Sequence, residues 1–239
     1  MQRFANPAIF LAYASRISPW AGAVALALLA LGTWLGLFVA PADYQQGETV
    51  RIMFVHVPAA WMAMACYGVM AASSATGLIW NHPLAHACAK QTAPIGAVFT
   101  FMALVTGSLW GKPMWGAWWV WDARLTSVLI LLFLYLGYIS LWYAIEEPVR
   151  AAKAAAILAL VGAVNLPVIK FSVDWWNTLH QPASVMRIAG PAIHSSILTP
   201  LLVMGAGFAV FYLWLLLIRM RSEILARQVR RLRLERARQ

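Results

Sequence analysis

The sequence predicts an all-α integral membrane protein with six transmembrane helices and both termini in the cytoplasm. Three observations carry that reading: an apolar excess that no soluble core absorbs, six apolar windows of spanning length, and arginines crowded at the C-terminal end. Apolar residues make up 62% of the 239-residue chain and charged residues only 11%. A soluble domain of this size has too little interior to hide so much apolar surface, so lipid must be the solvent for much of it. A formal charge of +10 is compatible with nucleic-acid binding, but its distribution argues otherwise: eight of the 18 basic residues are arginines in the last 21 positions, directly after an apolar stretch. That placement fits a cytoplasmic anchor beside anionic headgroups.

A spanning helix needs about 20 mainly apolar residues. Windows 20–39, 54–79, 94–110, 125–145, 154–171 and 193–218 meet or approach that length. Backbone polar groups cannot stay unpaired in hydrocarbon, so these windows should be helices; they are too long and too rich in Leu and Ala for barrel strands. Ala40-Pro41-Ala42 resembles a signal-peptidase site. The apolar run before it exceeds an ordinary signal core and proline disfavours cleavage there, so the first span is read as retained.

Lysines and arginines in the connections set the orientation. With the N-terminus inside, Arg3, Arg16, Lys90, Arg150, Lys153 and the eight tail arginines fall inside, against Arg51, Lys112, Arg124, Lys170 and Arg187 outside. The positive-inside rule then favours two cytoplasmic termini, and the tail decides it, because the remaining connections balance five to five. Three connections are thereby outer: 40–53, 111–124 and 172–192. Residues 1–218 read as one six-span domain and 219–239 as a basic cytoplasmic tail. No internal repeat or separate soluble domain is evident. Cys66 and Cys88 form no CxxC or CxxCH, so disulfide, zinc and covalent haem attachment through these cysteines have no support.

The second outer connection places Trp110, Trp115, Trp118, Trp119 and Trp121 within twelve residues, with Gly111 and Gly116 between them and Asp122 at the end. An interfacial aromatic belt needs one or two tryptophans per helix end. Five read better as a binding platform, since indole faces offer rigid apolar area suited to a flat macrocycle. Of five histidines, His82 and His86 fall on the inner side and suit a solvated loop face, and His194 suits an interfacial polar position. His56, just inside the second span, and His180, in the third outer connection, share the tryptophans' side, and each precedes a proline by two residues. Singly, each is more often structural; together with the aromatic loop they suggest two neutral imidazoles flanking an iron. Arg51, Lys112, Arg124 and Arg187 are outer cations that could meet carboxylates or lipid headgroups. Asp122 has three open roles: orienting an imidazole, pairing with Arg124, or capping the fourth span.

The stretch Trp115-Gly116-x-x-Trp119-x-Trp121-Asp122 resembles the WWD signature of the haem-handling protein superfamily. With APADYQQG at 40–47, HVPAA at 56–60, APIGAVFTF at 93–101 and WWNTLHQ at 175–181, the chain is similar, from about residue 20 to 185, to the cytochrome c maturation protein C family, also termed haem exporter protein C. The resemblance implies haem b bound at the periplasmic face of the bacterial inner membrane, with His56 and His180 as axial ligands. Trp115, Trp119, Trp121 and Asp122 would form the platform; Arg51, Lys112 and Arg124 are the outer cations available to the propionates of such a ligand. It also implies delivery of haem to a membrane-anchored haem chaperone (protein E of the same system). Assisting partners would be a small single-span subunit (protein D) and an ATP-binding-cassette pair (proteins A and B). Such a scaffold orients and does not hydrolyse; whether promoting haem attachment to a chaperone histidine makes it an enzyme is a matter of definition.

Two other classes stay in view. A haem-exporting transporter subunit predicts polar or ionisable groups near mid-span: Asn165 and Pro167 interrupt the fifth span and Ser73, Ser74 and Thr76 lie in the second, with no carboxylate or arginine among them. A bis-histidine electron carrier predicts ligands within facing spans, whereas this pair sits at span ends.

Overall fold

The computed structural model describes residues 6–181, 184–185, 187 and 190–237. Arg3 and Arg238, which enter the charge count, and Pro182, which follows His180, lie outside the described residues. Among the described residues seven α-helices make six passes: α1 (Pro7–Trp34), α2 (Met53–Trp80), α3 (Pro83–Trp115), α4 (Ala123–Ala144), α5 (Pro148–Gly162), α6 (Asn165–Trp175) and α7 (Ser195–Arg236). A π-helical turn, Leu35–Val39, extends α1, and a 3-10 turn, Glu48–Ile52, leads into α2. Six of these passes are long and apolar enough to cross a membrane, and no strand occurs among the described residues.

The helices start where local chemistry supplies caps. Asn6, His82, Asp122, Glu147 and His194 each accept a backbone N–H from the following turn, and Pro7, Pro83 and Pro148 occupy first helical positions where no N–H is needed. This shortens the inner connection on which the sequence predicts a solvated loop face for His82 and His86: only Asn81 and His82 lie between α2 and α3, with Asn81 left-handed at φ 46°. His82 is therefore a cap, and His86 belongs to α3, its imidazole lying against Gly77 so closely that a Cβ there would overlap it. Similarly α3 continues to Trp115, where Gly116, at φ 75°, ends it and donates its N–H to the Lys112 carbonyl. The tryptophan connection is thus half helix and half loop. The C-terminal arginines extend α7 without a break past Ile218 to Arg236.

α2 sits at the centre, packed on α3, α5 and α7, while α1 runs antiparallel to α7. Small residues allow these approaches: a Cβ on Gly32 would stand 3.1 Å from the Met204 backbone. The core buries Tyr67, Tyr135, Tyr138 and Tyr212; Tyr135 donates to the Ala63 carbonyl at 2.8 Å, and the Tyr212 and Thr92 hydroxyls are 3.0 Å apart. The fifth pass is broken between Gly162 and Asn165. Pro167 cannot donate to the Ala163 carbonyl, and the Asn165 amide instead reaches the Ser127 carbonyl of α4 at 2.8 Å. At the end opposite Trp115, Glu223 of α7 accepts from Lys90, Gln91 and Arg227, and Arg219 donates to Gln91. The start of α3 and the end of α7 therefore share one end of the bundle, and the three connections that follow α1, α3 and α6 share the other.

Candidate functional site

His56 occupies the first turn of α2, and its Nδ1 lies 3.1 Å from the Thr106 hydroxyl of α3. That hydroxyl already donates to the Met102 carbonyl at 2.7 Å, so its oxygen accepts at the histidine. The network thus assigns the proton to Nδ1 and a lone pair to Nε2. Gly107 lets the ring approach: a Cβ there would come within 2.9 Å of His56 Cε1. Trp110 meets the imidazole edge-on at 5.6 Å, and its indole N–H donates to Gln46 at 3.1 Å. Gln46 belongs to a tight turn in which the Asp43 carboxylate accepts the Gln45 and Gln46 N–H groups. The 40–47 segment therefore supports the histidine through Trp110.

His180 comes from the segment after α6 and is held from α4. Asp122 caps α4 through Oδ1, which accepts the Leu125 N–H at 2.7 Å. Its Oδ2 accepts the Thr178 hydroxyl at 2.6 Å and lies 3.4 Å from His180 Nδ1, while the His180 N–H donates to Thr178 at 2.9 Å. Two of the three roles open for Asp122 are thus filled together. The third is not: Arg124 turns to Ser172 at 2.9 Å and the Lys170 carbonyl at 3.3 Å. Burial disfavours ionised Asp122, but the bonds from Leu125 and Thr178 and the nearby His180 outweigh it, so its pKa falls below the ordinary carboxylate value. Burial also lowers the His180 pKa, helped by Arg124 and opposed by Asp122. That shift favours the neutral imidazole, whose Nδ1 faces the Asp122 carboxylate at 3.4 Å. As at His56, Nδ1 faces the protein and Nε2 is left with its lone pair.

Trp115 joins the two halves, meeting the His180 ring at 4.9 Å. Trp119 and Trp121 pack edge to face at 5.5 Å; Trp121 is 75% exposed, and the buried Trp119 indole N–H has no acceptor among the described residues. The cations already have protein partners. Arg51 pairs with Glu48 and donates to the Gly36 and Ala40 carbonyls, tying the end of α1 to the start of α2, and Lys112 donates to the Gly116 carbonyl at 3.0 Å. Sequence reasoning passed over Thr106 and Thr178, the hydroxyls that orient each histidine. Thr178 had a signal, two residues before His180; Thr106, fifty residues from His56, had none. Among the described residues no three His, Cys, Asp or Glu side chains converge on a metal position. Two nitrogen donors suit a metal whose remaining positions are already filled.

Fold and site together define a multi-pass membrane protein that gathers two imidazoles and a tryptophan cluster at one end of its bundle. The chain belongs to the Heme exporter protein C family, whose profile matches residues 1–235. It is 59% identical over 233 residues to Heme exporter protein C of Bradyrhizobium diazoefficiens, covering 98% of this chain and 88% of the relative. It is 48% identical over 228 residues to the Haemophilus influenzae protein of that name (95% and 93% covered) and 50% identical over 213 residues to that of Escherichia coli (89% and 86%).

Proposed function

We propose that this protein binds haem b at the periplasmic face of the bacterial inner membrane, between His56 and His180. It then delivers the haem to a membrane-anchored haem chaperone for c-type cytochrome biogenesis. The small single-span subunit and the ATP-binding-cassette pair are its working partners in this reading. The observation that carries it is the matched pair of imidazoles: each commits Nδ1 to the protein, through Thr106 or Asp122, and leaves Nε2 to a ligand. A macrocycle that fills the equatorial positions of its iron needs only two such donors. The orphaned Trp119 N–H suits a ligand bearing carboxylates, and Trp115 and Trp121 offer apolar ring surface beside it. Arg51, Lys112 and Arg124 are the cations assigned to the propionates.

The bound haem supplies the reactive vinyl group and the iron; the chain's own residues do the placing. His56 and His180 fix the iron's height, the tryptophans fix the ring, and the exposed Trp121 edge leaves one side open to an acceptor. In this reading His56→Ala and His180→Ala each lower co-purifying haem, and the double variant lowers it further. Wild-type haem content and spectrum in the double variant would end the axial-ligand assignment. Replacing Trp119 and Trp121 together should weaken haem retention or chaperone loading while the protein still inserts.

A haem-exporting transporter subunit is the second reading, favoured by the broken fifth pass, since interrupted helices line the substrate paths of many transporters. Flux of labelled haem into sealed vesicles carrying this chain alone discriminates: export requires it, delivery does not.

A further inference from the structure

We propose that Thr178 is a positioning residue for His180, pinning the ligand-bearing segment to Asp122 so that Nε2 is presented to iron; the inference rests on the axial-ligand reading above. The Thr178 hydroxyl uses both of its capacities there, donating to Asp122 Oδ2 at 2.6 Å and accepting the His180 backbone N–H at 2.9 Å. The direct contact from Asp122 to the imidazole is long, at 3.4 Å, beyond the usual range for an N–H···O bond. Among the described residues, these three contacts are the only hydrogen bonds made by residues 177–181. Thr178 is thus the shortest link between the His180 segment and the rest of the protein.

The pin lands on a rigid anchor. Asp122 Oδ1 is fixed by the Leu125 N–H at the start of α4, and in the same first turn Arg124 holds α6 through Ser172 and the Lys170 carbonyl. The arm bearing His180 is therefore fastened to the start of α4. His56, in contrast, is fastened to α3 through Thr106. The two ligands belong to different half-sites, and the tryptophan loop that joins α3 to α4 sets the distance between them. Loss of the pin frees one ligand and leaves the other.

Thr178→Val keeps the side-chain shape and removes both bonds; Thr178→Ser keeps both. Each variant, with wild type and His180→Ala, is purified in detergent and reconstituted with added haemin, and absorption and electron-spin spectra report coordination. Thr178→Val should bind haemin about 10-fold or more weakly. Its spectrum should shift from the six-coordinate two-imidazole form toward five-coordinate high-spin haem, and added imidazole should reverse the shift. Thr178→Ser should match wild type, and the thermal unfolding of the haem-free valine variant should match wild type too. A valine variant whose bound haem keeps the two-imidazole spectrum overturns the proposal, as does a serine variant that behaves like valine. A wild-type spectrum in His180→Ala instead overturns the axial-ligand reading on which the proposal stands.

Discussion

Asp122 shows how much one side chain is asked to do. Oδ1 closes the first turn of α4, and Oδ2 faces Thr178 and His180. Replacing it with asparagine separates these duties. Asparagine is as good an N-cap as aspartate, so α4 should start where it does now. The amide oxygen would stay on the Leu125 N–H, which turns the NH2 group toward His180. An NH2 donates where the carboxylate accepted, so the imidazole would take the opposite tautomer, with its proton on Nε2. A protonated Nε2 is no ligand. Asp122→Asn should therefore leave thermal stability within about 0.5 kcal/mol of wild type while weakening haem retention by about 10- to 100-fold. Asp122→Ala should lose the cap as well, at about 1 kcal/mol. Thermal unfolding and haem titration of the two variants, run side by side, separate the two roles.

Between elements, the packing of α2 on α5 turns on one close approach. Gly162 at the end of α5 faces the Tyr67 hydroxyl of α2, and a Cβ at 162 would overlap that oxygen. The hydroxyl is buried and has no hydrogen-bond partner among the described residues, so removing it forfeits little. Gly162→Ala should destabilise by about 1–3 kcal/mol, Tyr67→Phe should be close to neutral, and the double variant should recover much of the loss. Thermal unfolding of the three proteins in one detergent measures the coupling; equal losses in the single alanine and double variants would remove the overlap as its cause. Elements were the most legible level of the sequence. Each of the six apolar windows coincides with a helical pass, and Asn165 and Pro167 marked the interruption of the fifth. The sequence hid where helices outrun hydrocarbon. α3 spans 33 residues, about 50 Å, of which the apolar window covers the middle; its ends are fixed by His82 and Gly116, whose effect is conformational and leaves no trace in hydropathy. The candidate site was legible as a set of residue types and illegible by contact. His56, His180, Trp115 and Asp122 could be chosen in advance, but the hydroxyl that sets each imidazole's tautomer could not. Nor could the engagement of Arg51 with the α1 carbonyls, which depends on the π-helical turn at Leu35–Val39.

For the molecule as a whole, six passes put the start of α1 and the end of α7 at one end and the connections bearing His180 and the tryptophans at the other. Internal contacts support this independently of any charge count. The late residue Trp110 of α3 meets Gln46, and Asp122 meets Thr178, while Lys90 at the start of α3 meets Glu223 near the end of α7. Which end faces which compartment depends on the arginines, because the other connections balance. α7 carries Arg219, Arg221, Arg227, Arg230, Arg231, Arg233 and Arg236 beyond its apolar run, all on the side of the termini, and basic segments stay on the cytoplasmic side. Single cysteines at Lys112, Gln181 and Arg236, placed in a background lacking Cys66 and Cys88, test both statements in intact cells with a membrane-impermeant maleimide. Positions 112 and 181 should label from the periplasm, and position 236 only after the membrane is opened. Labelling of 112 and 181 from opposite sides would contradict the contacts that build the site. Labelling of 236 alone in intact cells would leave the site whole but turn it toward the cytoplasm, where delivery to a periplasmic acceptor is impossible.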